Sequence, residues 1–256
     1  MENTVVYAID FDGVICDSAV ETGVAGWKAA VQLWDDMPST NLPPGEIIDQ
    51  FRKLRPAMET GYEAVIFMRM LYEGTGVDSL LTNFSELKQR FLIRYKLEPN
   101  DLKETFAKVR DDWINSDEQE WISMNPLFPT VAEKLRMLER QYSWYIVTTK
   151  QERFVKQILD ANQIHIAEDR IFGLDRNVSK EEVLADLLKV HQNQKLIFIE
   201  DRLPTLMNVV NNPNLQSVKL LLVSWGYNTE QDRQGLEDGS IKLINMEDFL
   251  ADLSRN

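Results

Sequence analysis

The segment VVYAIDFDGVICD, residues 5–17, decides how the rest of the chain is read. Five apolar residues, Val5 to Ile9, run without interruption into Asp10, Phe11, Asp12 and Gly13. Such a run, bounded by carboxylates, predicts a strand buried on both faces, as in a parallel sheet. Open α/β sheets place their ligands beyond the carboxyl ends of such strands. Side chains alternate along an extended chain, so Asp10 and Asp12 project to one side and Phe11 to the other. Two carboxylates together at the end of a buried strand are costly unless a cation or a proton-transfer task compensates them. An isolated Asp-x-Asp is equally compatible with a strand end dissolving into a polar loop.

The next hundred residues show helical spacing and no convincing strand. The stretches are 18–34, 46–54, 57–74, 79–97 and 101–124, with MPSTNLPPGE breaking the pattern after the first. Asn100 or Asp101 is the expected N-cap of the last stretch. Trp27, Trp34, Trp113 and Trp121 are expected to be core of this helical block. From Asn125 onward helix and strand alternate. A helix over 125–141, with Pro129 in its first turn, leads to the strand SWYIVTTK at 143–150. Helices at 151–164, 179–191 and 202–212 alternate with a short strand or turn at 170–174 and strands at 195–201, 218–226 and 241–245, before a closing helix. That alternation predicts a parallel sheet covered on both faces. The fold class is therefore α/β, a Rossmann-like parallel core of residues 1–17 and 124–256. The inserted all-helical domain, residues 18–123, is expected over the sheet's carboxyl edge.

Composition narrows the function. A chain of 256 residues, 44% hydrophobic and 27% charged, is an ordinary globular composition. A formal charge of −13 argues against nucleic acid or an anionic membrane as the main partner. It also means that an anionic substrate must meet local positive charge or a metal ion. The single cysteine, Cys16, forbids an internal disulfide and predicts a reducing, cytoplasmic location. The first ten residues read as a core strand rather than a signal peptide, and no apolar run has the length of a membrane helix.

Three apolar strands end in polar groups: Asp10 and Asp12, Thr148 and Thr149, Glu200 and Asp201. In a parallel sheet these ends lie side by side. Four carboxylates brought together call for a divalent cation, and magnesium favours oxygen ligands while keeping waters for an incoming phosphate. Lys180, at a helix start where lysine does not help the helix, could add positive charge.

IDFDGVICDS at 9–18 resembles the first motif of the haloacid dehalogenase (HAD) superfamily. YIVTT at 145–149 resembles the second, with Thr148 in the hydroxyl position and Thr149 where many relatives carry asparagine. Lys180, rather than Lys150 or Lys189, corresponds to the third. IFIEDRLPT at 197–205 resembles the Glu-Asp form of the fourth, with Thr205 where many relatives have a further Asp. The helical insertion resembles the family's C1 cap, and NPLFPTVAEKLRML with YIVTTK is closest to phosphoglycolate phosphatase-like members.

The resemblance implies a magnesium-dependent phosphatase acting on a small phosphorylated metabolite. It makes Asp10 the nucleophile, Asp12 the general acid and base, and Thr148 and Lys180 the groups holding the transferring oxygens. It implies magnesium held by Asp10, the Asp12 carbonyl, Glu200 and Asp201. Thr149, beside Thr148, is a candidate substrate contact. No cap residue is carried over from the resemblance; Arg52 and Arg55 are candidate substrate contacts from their charge alone, for a second anionic group if they face the cleft. With Lys53 and Arg69 they lie in two consecutive predicted helices, and a solvated basic face or ion pairs with neighbouring acids is the plainer expectation for each. A phosphomutase of the β-phosphoglucomutase type shares the same core residues, and a retired core acting as a binding protein is the rival from another class. His165 and His191 stand at no strand end, and no Cys or His cluster suggests zinc.

Overall fold

The computed structural model describes residues 5–236 and 239–251. The chain divides into two compact units, Met1–Asp17 with Pro126–Asn256, and Ser18–Asn125.

The second unit is helical throughout its described elements: α1 (Ala19–Leu33), α2 (Gly45–Leu54), α3 (Glu63–Tyr72), α4 (Val77–Tyr95), α5 (Pro99–Ser116) and α6 (Glu118–Ser123). Trp27, Trp34, Trp113 and Trp121 are all buried. Three boundaries differ from the sequence reading, each for a local reason. Helix α3 starts at Glu63 rather than 57, because the Glu63 carboxylate accepts from the backbone N–H groups of Glu59 (2.7 Å) and Thr60 (3.0 Å). That side chain offers the backbone an alternative to helix. Helix α5 starts at Pro99, with Glu98 rather than Asn100 or Asp101 at the N-cap. Proline suits a first helical position because its missing N–H has no partner there anyway. The expected helix 101–124 is two helices, broken at Asp117, whose side chain caps α6 by accepting from Glu120 N–H at 2.8 Å.

Among the described residues the first unit carries six strands: β1 (Val5–Ile9), β2 (Ser143–Val147), β3 (Ile171–Phe172), β4 (Lys195–Glu200), β5 (Lys219–Val223) and β6 (Ile241–Ile244). Their order is β3-β2-β1-β4-β5-β6. Every pairing is parallel. Helices α7 (Val131–Gln141), α8 (Glu152–Ala161), α9 (Lys180–Val190), α10 (Leu203–Val210), α11 (Glu230–Gln234) and α12 (Met246–Leu250) complete it. Helix α7 begins after Pro129 rather than around it, because Thr130 takes a left-handed φ of 65°. Phe128 N–H is drawn instead to Ile15 O at 3.0 Å.

Val6 and Ala8 of β1 share one buried cluster with Val147, Leu196, Phe198, Leu220 and Leu222, closed by Val183, Leu184 and Leu187 of α9 and Leu206 and Val209 of α10. Alternation sends Tyr7, Ile9, Ile197, Ile199 and Leu221 to the opposite face, and all are buried too. Burial on both faces explains why these strands read as continuous apolar runs. β1 lies between β2 and β4, so the connections leave it in opposite directions. That reversal opens a crevice at the carboxyl ends of the central strands.

Candidate active site

The sheet ladder reaches the first acid directly. Asp10 N–H donates to Ile199 O of β4 at 2.9 Å, so the residue after β1 is held in strand register. The chain then turns sharply: Ile15 and Cys16 N–H both donate to Phe11 O at 2.9 Å, and Gly13 N–H to Cys16 O at 2.9 Å. Gly13 has a φ of +84°, which side-chain-bearing residues avoid, and a Cβ there would lie 2.0 Å from Asp201 Oδ2. Gly226 closes on the same acid from the other side, since its Cβ would stand 2.3 Å from Asp201 Cβ. Two backbones thus approach Asp201 as only glycine allows.

Asp10, Glu200 and Asp201 are buried and can bring one ligand oxygen each within 4.8 Å of the others. Lys180 Nζ stands 2.9 Å from Asp10 Oδ1 and 2.7 Å from Glu200 Oε2. It is the first residue of α9, whose N-cap Ser179 forms a reciprocal capping box with Glu182. Glu200 Oε1 accepts from Asp201 N–H (3.0 Å) and Arg202 N–H (3.1 Å). Asp201 Oδ2 accepts from Tyr227 N–H at 2.6 Å. The Asn228 amide ties Asp201 O to Val223 O, at 2.8 Å each, and Arg233 donates to Asn228 Oδ1 at 2.8 Å.

This density of negative charge shows in the proton affinities. Burial, then the neighbouring Glu200, pushes Asp10 up to about 7 despite Lys180. Burial raises Asp201 well above the carboxylate range, helped by Glu200 and Asp10. Burial works against the ionised Glu200 as well, but Lys180 and backbone donors outweigh it and hold its carboxyl low. Burial alone would lower Lys180, and the attraction of Asp10 and Glu200 overrides it and holds the ammonium above its ordinary range. Of these three buried carboxylates Lys180 contacts two, Asp10 and Glu200, and Asp10 Oδ1 accepts no hydrogen bond of ordinary geometry. An all-oxygen donor set with excess negative charge fits a hard divalent cation.

Thr148 follows β2, is buried, and has its N–H bonded to Phe172 O at 2.9 Å. Its hydroxyl accepts from Lys150 N–H at 3.2 Å. Thr149 is exposed. The Asp12 carboxylate lies apart from the three-acid cluster, with Oδ1 3.0 Å from Lys150 Nζ. Lys150 is thus part of the site in its own right. Its only sequence signal was its position just after the two threonines. In the helical unit Arg52 is exposed and Arg55 is buried in a short 3-10 turn. Arg69 forms a bidentate pair with Asp36 (2.7 and 2.9 Å) and reaches Glu73 at 3.0 Å, which commits it to structure.

Among solved structures the chain is similar to a haloacid dehalogenase-like hydrolase from Streptococcus pneumoniae, 20% identical, covering 96% of this chain and 95% of that one, TM-score 0.57. A predicted phosphatase from Clostridium acetobutylicum is 18% identical with 97% of each chain covered and a TM-score of 0.57. A predicted phosphoglycolate phosphatase from Haemophilus somnus is 13% identical with 98% of each covered and a TM-score of 0.60. The fold is that of the HAD-like hydrolases. In sequence, a phosphoglycolate phosphatase of Aliivibrio fischeri is 23% identical over 144 residues, 54% of this chain; the match spans 61% of that relative's length. No family model matches the chain.

Proposed function

We propose that the protein is a magnesium-dependent phosphatase that hydrolyses a small phosphorylated metabolite through an aspartyl-phosphate on Asp10. One observation carries this reading: Asp10, Thr148, Glu200 and Asp201 follow or end three adjacent parallel strands, with Lys180 on Asp10 and Asp12 two residues further on. A nucleophile, an acid–base group, a hydroxyl and a cation of fixed position are what phosphoryl transfer to a carboxylate requires.

In the first step an Asp10 carboxylate oxygen bonds to phosphorus as the bond to the leaving oxygen breaks, and Asp12 gives that oxygen a proton. In the second step water bonds to phosphorus, its proton passes to Asp12, and the bond from phosphorus to Asp10 breaks, freeing phosphate. Lys180 and the Thr148 hydroxyl hold the transferring oxygens. Asp10 and Asp201 would be the principal magnesium ligands, with Glu200 and the Asp12 carbonyl beside them, and the bound ion would offset the charge of nucleophile and phosphate. Both Glu200 oxygens are already engaged, one by Lys180 and one by two backbone donors, so its main task is to hold Lys180 beside Asp10. Thr149, Arg52 and Arg55 are assigned to the remainder of the substrate. A reducing, cytosolic setting is inferred from Cys16, the chain's single cysteine.

The test is phosphate release from a panel of phosphorylated sugars, acids and nucleotides, with p-nitrophenyl phosphate included, with and without Mg²⁺. Asp10→Asn is the blank, its folding checked by circular dichroism. Mg²⁺-dependent release lost in the variant is expected. Release that survives in Asp10→Asn removes the covalent mechanism.

A further inference from the structure

We propose that Lys150 is a positioning residue for the acid–base step: its ammonium holds one carboxylate oxygen of Asp12 so that the other faces the leaving group. This rests on the reading of Asp12 given above. Among the described residues two ammonium groups reach acids of the site, and they take different ones. Lys180 takes Asp10 and Glu200, while Lys150 takes Asp12.

Lys150 is built into the structure on every side. Its backbone N–H donates to Thr148 Oγ1 at 3.2 Å, and its carbonyl accepts from Leu174 N–H at 3.1 Å. Its side chain is 4% exposed, and Nζ lies 6.0 Å from the centre of the Phe11 ring. Ordering a lysine side chain costs rotamer freedom, and burying its charge costs more still. A residue needed only to fill that space would be apolar. Asp12 Oδ1 meets the ammonium at 3.0 Å, and the Asp12 side chain remains 24% exposed, so the group is held at one oxygen without being sealed from the crevice. Asp12 follows Phe11 in a tight loop, in which Ile15 and Cys16 N–H both donate to Phe11 O. An acid–base group that must meet two different oxygens in two steps gains from being held at one point.

A purely structural lysine and a positioning lysine separate on one readout, the dependence of rate on leaving group. The ratio kcat/KM covers the steps up to departure of the leaving oxygen. Alkyl phosphates need a proton delivered there; p-nitrophenyl phosphate needs it much less. The experiment measures kcat/KM on aryl and alkyl monophosphates for the wild type, Lys150→Met, Asp12→Asn and the double variant, each checked for folding by circular dichroism. Lys150→Met is expected to lose at least about tenfold on alkyl phosphates and no more than about threefold on p-nitrophenyl phosphate. Asp12→Asn shows the same pattern more strongly, and the double variant is no worse than Asp12→Asn. Equal losses of Lys150→Met across the series, or losses that multiply in the double variant, overturn the role of Lys150 while leaving that of Asp12 standing. An Asp12→Asn enzyme with wild-type leaving-group dependence overturns the acid–base reading itself, and this inference with it. Should Lys150→Met fail to fold, Lys150→Gln carries the same comparison.

Discussion

The Lys180 ammonium stands 2.9 Å from Asp10 Oδ1, so the carboxylate at the end of β1 is charge-paired before any ligand arrives. Removing that partner leaves Asp10 and Glu200 buried without it. Lys180→Met is expected to lower turnover about 10²-fold or more, the scale of a lost donor to a transition-state oxygen. It should also destabilise the metal-free protein by about 3 kcal/mol at neutral pH. Phosphate release and chemical denaturation in EDTA check the two parts. Unchanged turnover would remove Lys180 from the transfer step.

The raised proton affinities of Asp10 and Asp201 give the metal-free protein a defined pH response. Asp10 titrates near 7 when folded and near the ordinary 3.8 when unfolded, and Asp201 is shifted in the same direction. Between those values the folded chain holds more protons than the unfolded one, so stability falls as pH rises through the window. In EDTA the melting temperature should be lower at pH 8 than at pH 5.5. Mg²⁺ competes with those protons and should raise it more at pH 8. Asp201→Asn should flatten both effects. A Mg²⁺ shift independent of pH would contradict this account.

The helical unit has its own buried charge. Glu21 accepts from Arg110 Nε (2.7 Å) and Nη2 (3.0 Å) and from the Trp121 indole (2.9 Å). Glu21→Ala strands the guanidinium and should cost about 3 kcal/mol. The paired change Glu21→Leu with Arg110→Met should cost less than Glu21→Ala alone, because no uncompensated charge remains. Urea denaturation of these two variants decides it. A double variant that loses as much as Glu21→Ala, or more, would mean that the unpaired charge is not the source of the loss.

Arg52 and Arg55 are tested by KM. If they meet an anionic group on the substrate, Arg52→Ala and Arg55→Ala raise KM about tenfold with kcat little changed, the mark of lost uniform binding. Unchanged KM in both returns them to structural or solvent roles.

The acids at the strand ends were legible because burial writes itself into sequence. A strand covered on both faces needs an unbroken apolar run, and the first carboxylate after it marks the exit into the crevice. The start of α9 was legible too, since Ser179 and Glu182 stand at capping-box spacing. Lys150 was not. A buried lysine looks like an exposed one until its neighbours are known, and Asp12 lies more than a hundred residues away in the chain. Nor was the support of Asp201 by Asn228 and Arg233, which depends on a loop folding back beneath β5. The false helical start at 57 had the right periodicity. What it lacked was a sign that Glu63 would capture the backbone ahead of it.

Asp17 N–H donates to Pro126 O at 2.9 Å, so the chain returns, after the whole helical unit, to the place it left. β1 therefore finds its neighbours across a long stretch of chain, pairing with β2 from Ser143 and with β4 from Lys195. Closing so long a loop spends chain entropy before any strand contact rewards it. The docking of β1 between its two partners is then a late and slow event, and substitutions in residues 5–9 act on the rate of refolding as well as on final stability.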